Sequence, residues 1–233
     1  MRALSLPLIV LFFICIFLLI LTVDSSPVRE FLCNRDICFR SRNSLFWNEV
    51  WNTFAAGGAI SILFFWILVK SPEYRKRQRV KRNLAAQYKS FKISCIENFL
   101  AVGDGGFNSK LPEKLVTVTE FRNYFKEETG YNKNRWHDVH NNMTDYYLTV
   151  TLSRMEILRQ EVSVAMQSID ISETDAFKIL NYLSHTIVLQ RNATRDYDSI
   201  RSFLGVFWEL FAGWNGSTGY RDSDMIDEVI ESI

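Results

Sequence analysis

Apolar positions follow two patterns along this chain, and the change between them falls near residue 70. Ala3 to Val23 is an uncharged run behind Met1 and Arg2, and Val50 to Val69 supplies twenty residues without a charge. A helix rises about 1.5 Å per residue, so a run of roughly 20 residues matches a hydrocarbon core about 30 Å thick. The pattern predicts a hairpin of two membrane spans, residues 1–23 and 47–69, joined by a loop over residues 24–46. The first run also reads as a signal peptide. Its apolar core exceeds the roughly 7–15 residues usual for one, however, and Val23-Asp24-Ser25 is only a passable cleavage site. A retained span is the better account. Trp47 and Trp51 at one end of the second run, and Trp66 and Tyr74 at the other, fall where headgroup belts take aromatic side chains.

Past Pro72 the apolar positions recur every three or four residues, the period of an amphipathic helix. Leu84, Tyr88, Phe91, Cys95, Phe99 and Val102 form one stripe, which Gly103-Asp104-Gly105-Gly106 ends. That glycine cluster is a helix stop rather than a phosphate loop, because no Gly-Lys-[Ser/Thr] follows it and no strand precedes it. Thr117 and Glu120 have capping-box spacing ahead of Phe121 and Phe125. A single long helix is expected from Asn134 to Ile169. Ser172 would cap the next, which carries Phe177, Leu180, Leu183 and Ile187, and so short a connection makes the two antiparallel neighbours. Asp198 to Ala212 reads as a very apolar core helix ended by Gly213, about fifteen residues long and too short to span a bilayer. Ser223 would cap a last helix that turns Met225, Ile226, Val229 and Ile230 inward. Leu115 to Thr119 is the one candidate strand. The pattern predicts an all-α protein: the two-span hairpin, a stem over residues 70–92, and a helical cytoplasmic domain of about five to six helices over residues 93–233.

Charge fixes the expected direction of insertion. The net charge of +1 conceals a division. Residues 70–92 hold nine lysines and arginines against one acid, and residues 93–233 hold thirteen against twenty-one. Basic residues close to a span end stay on the cytoplasmic side, so the collar of Arg75, Lys76, Arg77, Arg79, Lys81 and Arg82 predicts a cytoplasmic C-terminal domain, as in a bacterial inner-membrane protein. Arg29, Arg35, Arg40 and Arg42 in the 24–46 loop pull the other way, against seven basic residues from Lys70 to Arg82. The same collar would contact anionic lipid headgroups. No groove-reading motif accompanies it, so nucleic acid is not an expected partner.

Candidate chemistry is sparse. Ala55, Gly57, Gly58, Ala59 and Ser61 make a patch without bulk in the second span, where another helix, the first span or a second copy of the chain, can approach closely. Cys33 and Cys38 in the outer loop are spaced for a small disulfide. His137 and His140 lie at i and i+3 and invite comparison with a metal-dependent enzyme, but a metal site needs further ligands and the sequence designates none. No serine sits in a nucleophile elbow and no cofactor motif is present, so a catalytic role is not expected. Asn142, Asn192 and Asn215 begin Asn-x-Ser/Thr sequons, which alone would suggest a lumenal, glycosylated domain. With eleven asparagines after residue 70, they do not outweigh the collar. What the sequence predicts is a membrane-tethered helical interaction module; an oligomeric channel or transporter subunit is the competing membrane reading.

Overall fold

A computed structural model describes residues 2–22, 44–103, 105–130, 133–169, 171 and 174–233. These residues are predominantly helical, and they divide into two compact units, residues 1–76 and 77–233. Most of the 24–46 loop, including the Cys33 and Cys38 pairing, lies outside the described residues, as does Ser172.

In the first unit, helix α1 (Arg2–Thr22) packs along helix α2 (Ser44–Phe65). The contact is closest where α2 is small. Ala55, Ala59 and Ile62 are buried together with Cys15, and a Cβ added to Gly58 would lie 3.1 Å from the Cys15 Sγ. A π turn, Trp66–Lys70, follows, in which the Ser71 N–H donates to the Trp66 carbonyl five residues back. Pro72 accounts for it: proline has no N–H to return to Leu68 and its ring crowds that carbonyl, and a wider turn relieves both.

Helix α3 (Ser71–Gly103) carries the predicted stripe, and Leu84, Tyr88, Phe91, Cys95, Phe99 and Val102 are all buried. Around it stand the one-turn α4 (Leu111–Lys114), α5 (Val118–Lys126), α6 (Arg135–Asn142), α7 (Asp145–Ser168), α8 (Thr174–Gln190), α9 (Tyr197–Ala212) and the C-terminal α10 (Met225–Ser232). The centre is aromatic. Phe99 meets Phe207 at 5.1 Å and Trp136 at 5.3 Å, and Phe121 meets Phe211 at 5.5 Å, all edge to face. This geometry sets the positive ring edge on the negative ring face.

Four local expectations are corrected. The helix expected over Asn134 to Ile169 breaks at Met143, whose backbone leaves the helical region, and restarts after the extended Thr144, whose hydroxyl accepts from the Tyr147 N–H at 3.5 Å. A threonine that satisfies a free N–H of the new helix offers the backbone an alternative to continuing the old one. Leu115 to Thr119 is not a strand but a turn leading into α5, and the Thr117 side chain makes no cap bond. Asp224 rather than Ser223 caps α10. Two very short hairpins occur instead, β1 (Glu128–Gly130) with β2 (Lys133–Asn134) and β3 (Trp214–Asn215) with β4 (Gly219–Tyr220).

Gly213 ends α9 with φ +68°, and the Arg221 N–H donates to its carbonyl at 2.9 Å, closing the second hairpin. A Cβ there would lie 2.5 Å from the Arg221 carbonyl oxygen. Gly205, within α9, has open space where its Cβ would stand. The two glycines therefore respond oppositely to alanine. Gly213→Ala should destabilise the protein by about 2 kcal/mol or more, from left-handed strain and the clash, whereas Gly205→Ala should stabilise it by about 0.5–1 kcal/mol. Thermal unfolding of the detergent-solubilised chain, followed by circular dichroism, checks this; shifts of the same sign would contradict it.

Candidate functional site

The first unit presents apolar side chains outward. Val10, Phe13 and Phe17 on α1 and Phe54, Ile60, Phe64, Ile67 and Leu68 along α2 and the π turn are all exposed. Exposed apolar surface of this extent is what a lipid-facing helix offers and what a water-facing one avoids. Among the described residues one helical run, Glu49–Gly103, is long and apolar enough to cross a membrane. Of the small residues in α2, Ala55, Gly58 and Ala59 face Cys15 and α1. Gly57 and Ser61 are exposed, and nothing lies within 4 Å of a Cβ added to Gly57.

The basic collar follows at once. Arg75, Lys76, Arg79 and Arg82 are exposed, and Arg77 and Lys81 are half-buried. Successive helical positions differ by about 100°, so residues 75 to 82 of α3 distribute these charges around the whole helix rather than along one face. The Lys81 Nζ donates to the Glu231 carbonyl, which ties the stem to the end of α10.

A second charged feature, which the sequence did not single out, is buried. Lys92 interrupts the inward side of α3, with 2% of its side chain exposed, and its Nζ lies 2.6 Å from the Asp224 Oδ2. The Tyr88 hydroxyl donates to the same carboxylate, at 3.1 Å to Oδ1 and 3.0 Å to Oδ2. Oδ1 also accepts from the Ile226 and Asp227 N–H groups, at 2.8 and 3.2 Å, as the cap of α10. The ammonium lies 5.6 Å from the ring centres of both Tyr88 and Phe211, a cation–π arrangement in a dry site. One carboxylate thus caps α10, neutralises a buried cation and accepts a hydrogen bond from a phenol. With its lone pairs occupied, it has none left for a substrate, and the cluster is a fastening for the C-terminal helix. Next to it, Asp227 has its carboxyl held above the ordinary range, by burial first and then by the neighbouring Asp224 charge.

The histidines do not form a site. His137 is exposed, and its N–H donates to the Asn134 side chain that caps α6. His140 is half-buried with its ring 5.5 Å from that of Tyr197, and burial, then His137 and Arg201, lower its pKa. Asp138, between them in sequence, accepts from the Thr129 hydroxyl at 2.7 Å. Among the described residues no group of three or more His, Cys, Asp or Glu is placed to hold a metal ion. A recess of about 30 Å³ between α3 and α7, lined by Gln87, Ser90, Ser94, Arg154 and Ile157 among others, has room for about one water. The three sequon asparagines lie at the end of α6, in a turn and at the end of β3, Asn142 and Asn192 exposed and Asn215 half-buried, where its side chain accepts from the Ser217 and Thr218 N–H groups.

The fastening makes two predictions. Asp224→Asn leaves the Lys92 ammonium buried without its counter-charge and should cost about 3–5 kcal/mol, while Lys92→Met combined with Asp224→Asn should cost clearly less than the two single changes added together. Denaturant unfolding of the four proteins measures the coupling, and strict additivity would contradict it. Because the folded pKa of Asp227 is raised, its favourable contribution is present below its ordinary value of 3.8 and lost as pH rises through the folded value. Asp227→Asn should therefore raise the melting temperature at neutral pH, with the difference vanishing below about pH 3.8 in a pH series.

Compared with protein-family models, curated proteins and solved structures, the chain has no match, and its function has to be inferred from its own residues.

Proposed function

We propose that this chain is a two-span protein of a bacterial inner membrane whose helical domain, residues 93–233, is a cytoplasmic interaction module held at the bilayer surface. The observation that carries the reading is the junction at residue 70, where an uncharged helical stretch with exposed Phe64, Ile67 and Leu68 passes directly into a collar of basic residues. The apolar face suits lipid tails, and the collar suits the cytoplasmic leaflet. In this account α1 is the first span and residues 24–46 form the external loop.

The mechanism is tethering. The spans confine the domain to two dimensions, which raises its effective concentration toward partners in or near the membrane. Arg75, Lys76, Arg77, Arg79, Lys81 and Arg82 attract anionic headgroups, each by about 1 kcal/mol near the surface. The remainder of the domain is acidic, so like charge keeps it off the same lipids and leaves its surface open to protein. The Asp224 carboxylate, whose oxygens are taken up by Lys92, Tyr88 and the α10 cap, serves to hold the platform rather than to react.

The test is topological. A reporter fused after Ile233 should be active only on the cytoplasmic side, and the chain should resist extraction by alkaline carbonate. Replacing Arg75, Lys76, Arg79 and Arg82 by glutamine should give a mixed orientation, read by protease protection in spheroplasts. A reporter active outside, or sugar attached at Asn192 when the chain is expressed in a glycosylating host, would overturn the orientation.

A further inference from the structure

Helix α7 is a helix with two seams. Its inner seam, Leu148, Thr151, Met155, Leu158, Val162 and Ala165, is buried in the domain. On the opposite side Tyr146, Val150, Ser153, Ile157, Gln160, Val164 and Gln167 recur at alternating intervals of four and three, the spacing of a coiled-coil contact line. Most of this line is open: Tyr146 is 70% exposed, Ile157 47% and Val164 57%, while Val150 is half-buried. Ser153, Gln160 and Gln167 at the alternate heptad position keep the line soluble when it is unpaired.

Charge identifies what covers it. Arg154 and Glu161 flank the line on the side that borders α3, seven residues apart; Arg154 and Ile157 also rim the small recess against α3, and neither Arg154 nor Glu161 makes an ion pair with another described residue. On the other side Glu156 is already engaged by Arg159, whose Nε and Nη2 donate to its two oxygens at 2.9 and 2.7 Å. In an antiparallel pair of identical helices the same flank faces itself, so Arg154 of each meets Glu161 of the other, twice by symmetry. A parallel pair would set Glu156 beside Glu161 and offer Arg154 only Thr149. We propose that α7 docks on α7 of a second copy of this chain, antiparallel, with Ile157 of one copy against Gln160 of the other and two Arg154–Glu161 ion pairs across the two-fold axis. This rests on the reading of the domain as an interaction module and names its partner as the chain itself. Tethering favours it, since confinement to the bilayer raises the encounter rate of a modest, partly polar seam.

The experiment uses the full chain in detergent and in reconstituted nanodiscs, with mass and dissociation constant read by analytical ultracentrifugation. Arg154→Glu alone and Glu161→Arg alone should each weaken dimerisation by roughly tenfold or more, because each turns two attractions into two repulsions. Mixing the two single variants should restore the dimer, since one then carries two acids and the other two bases on the facing flanks. Val164→Asp should abolish pairing with helicity retained by circular dichroism. A parent chain that stays monomeric, or variants that dimerise as tightly as the parent, would overturn the pairing and leave the tethering reading standing. Pairing that persists in a chain extracted from membranes by carbonate would overturn the tethering alone.

Discussion

The domain depends on burying one face of α3. Tyr88, Cys95, Phe99 and the adjoining Ile96 and Leu100 are fully inaccessible to solvent, and the rings of Phe207 and Phe211 from α9 close over them. Burying a large apolar side chain contributes about 1.5–3 kcal/mol, so this stripe supplies a large fraction of the free energy that offsets the ordering of the chain. A helix made of residues 71–103 alone would have no reason to stay folded in water: it carries six basic residues within its first twelve positions, and its apolar stripe would be bare. The later helices exist in this arrangement because they cover it.

The same face carries the exception to its own rule. Lys92 is a buried ammonium in an aromatic setting, tolerated because Asp224 arrives at 2.6 Å from the far end of the sequence. A buried ion pair is weak evidence of net stability against an apolar equivalent, but it is strict about geometry, since an ammonium without its carboxylate is heavily penalised. The pair therefore selects one position for α10, and Tyr88 with the two capping N–H bonds makes that position unique. The C-terminal helix is fixed here by polar specificity added to the apolar contacts of Ile226, Val229 and Ile230.

Periodicity made the helical architecture legible, because a 3.6-residue repeat of large side chains is the direct imprint of a helix against a core. The α3 stripe, the inward residues of α10 and the stop at Gly213 were readable for that reason. The break at Met143 was not, since Val139, Met143 and Tyr147 hold the four-residue rhythm straight across it, and only the Thr144 cap betrays the new start. Hairpins of two or three residues a strand are too short for alternation to show. Lys92 lay hidden at the end of a run of basic residues most of which are exposed, and its partner is 132 positions away, beyond the reach of any local pattern. The outer line of α7 is as periodic as the inner one, but which of two seams a domain uses is decided by its neighbours and not by the helix.

Amide hydrogen exchange of the full-length chain in detergent tests the central claim most directly. Amides that open only with the whole domain exchange at the global unfolding rate, whereas those in peripheral elements open locally and sooner. If the α3 stripe is the surface that organises the domain, residues 88–102 of α3 and 203–211 of α9 should be the slowest to exchange in the second unit, and should respond together to denaturant. Rapid exchange along residues 88–102 while α7 and α8 stay protected would contradict it.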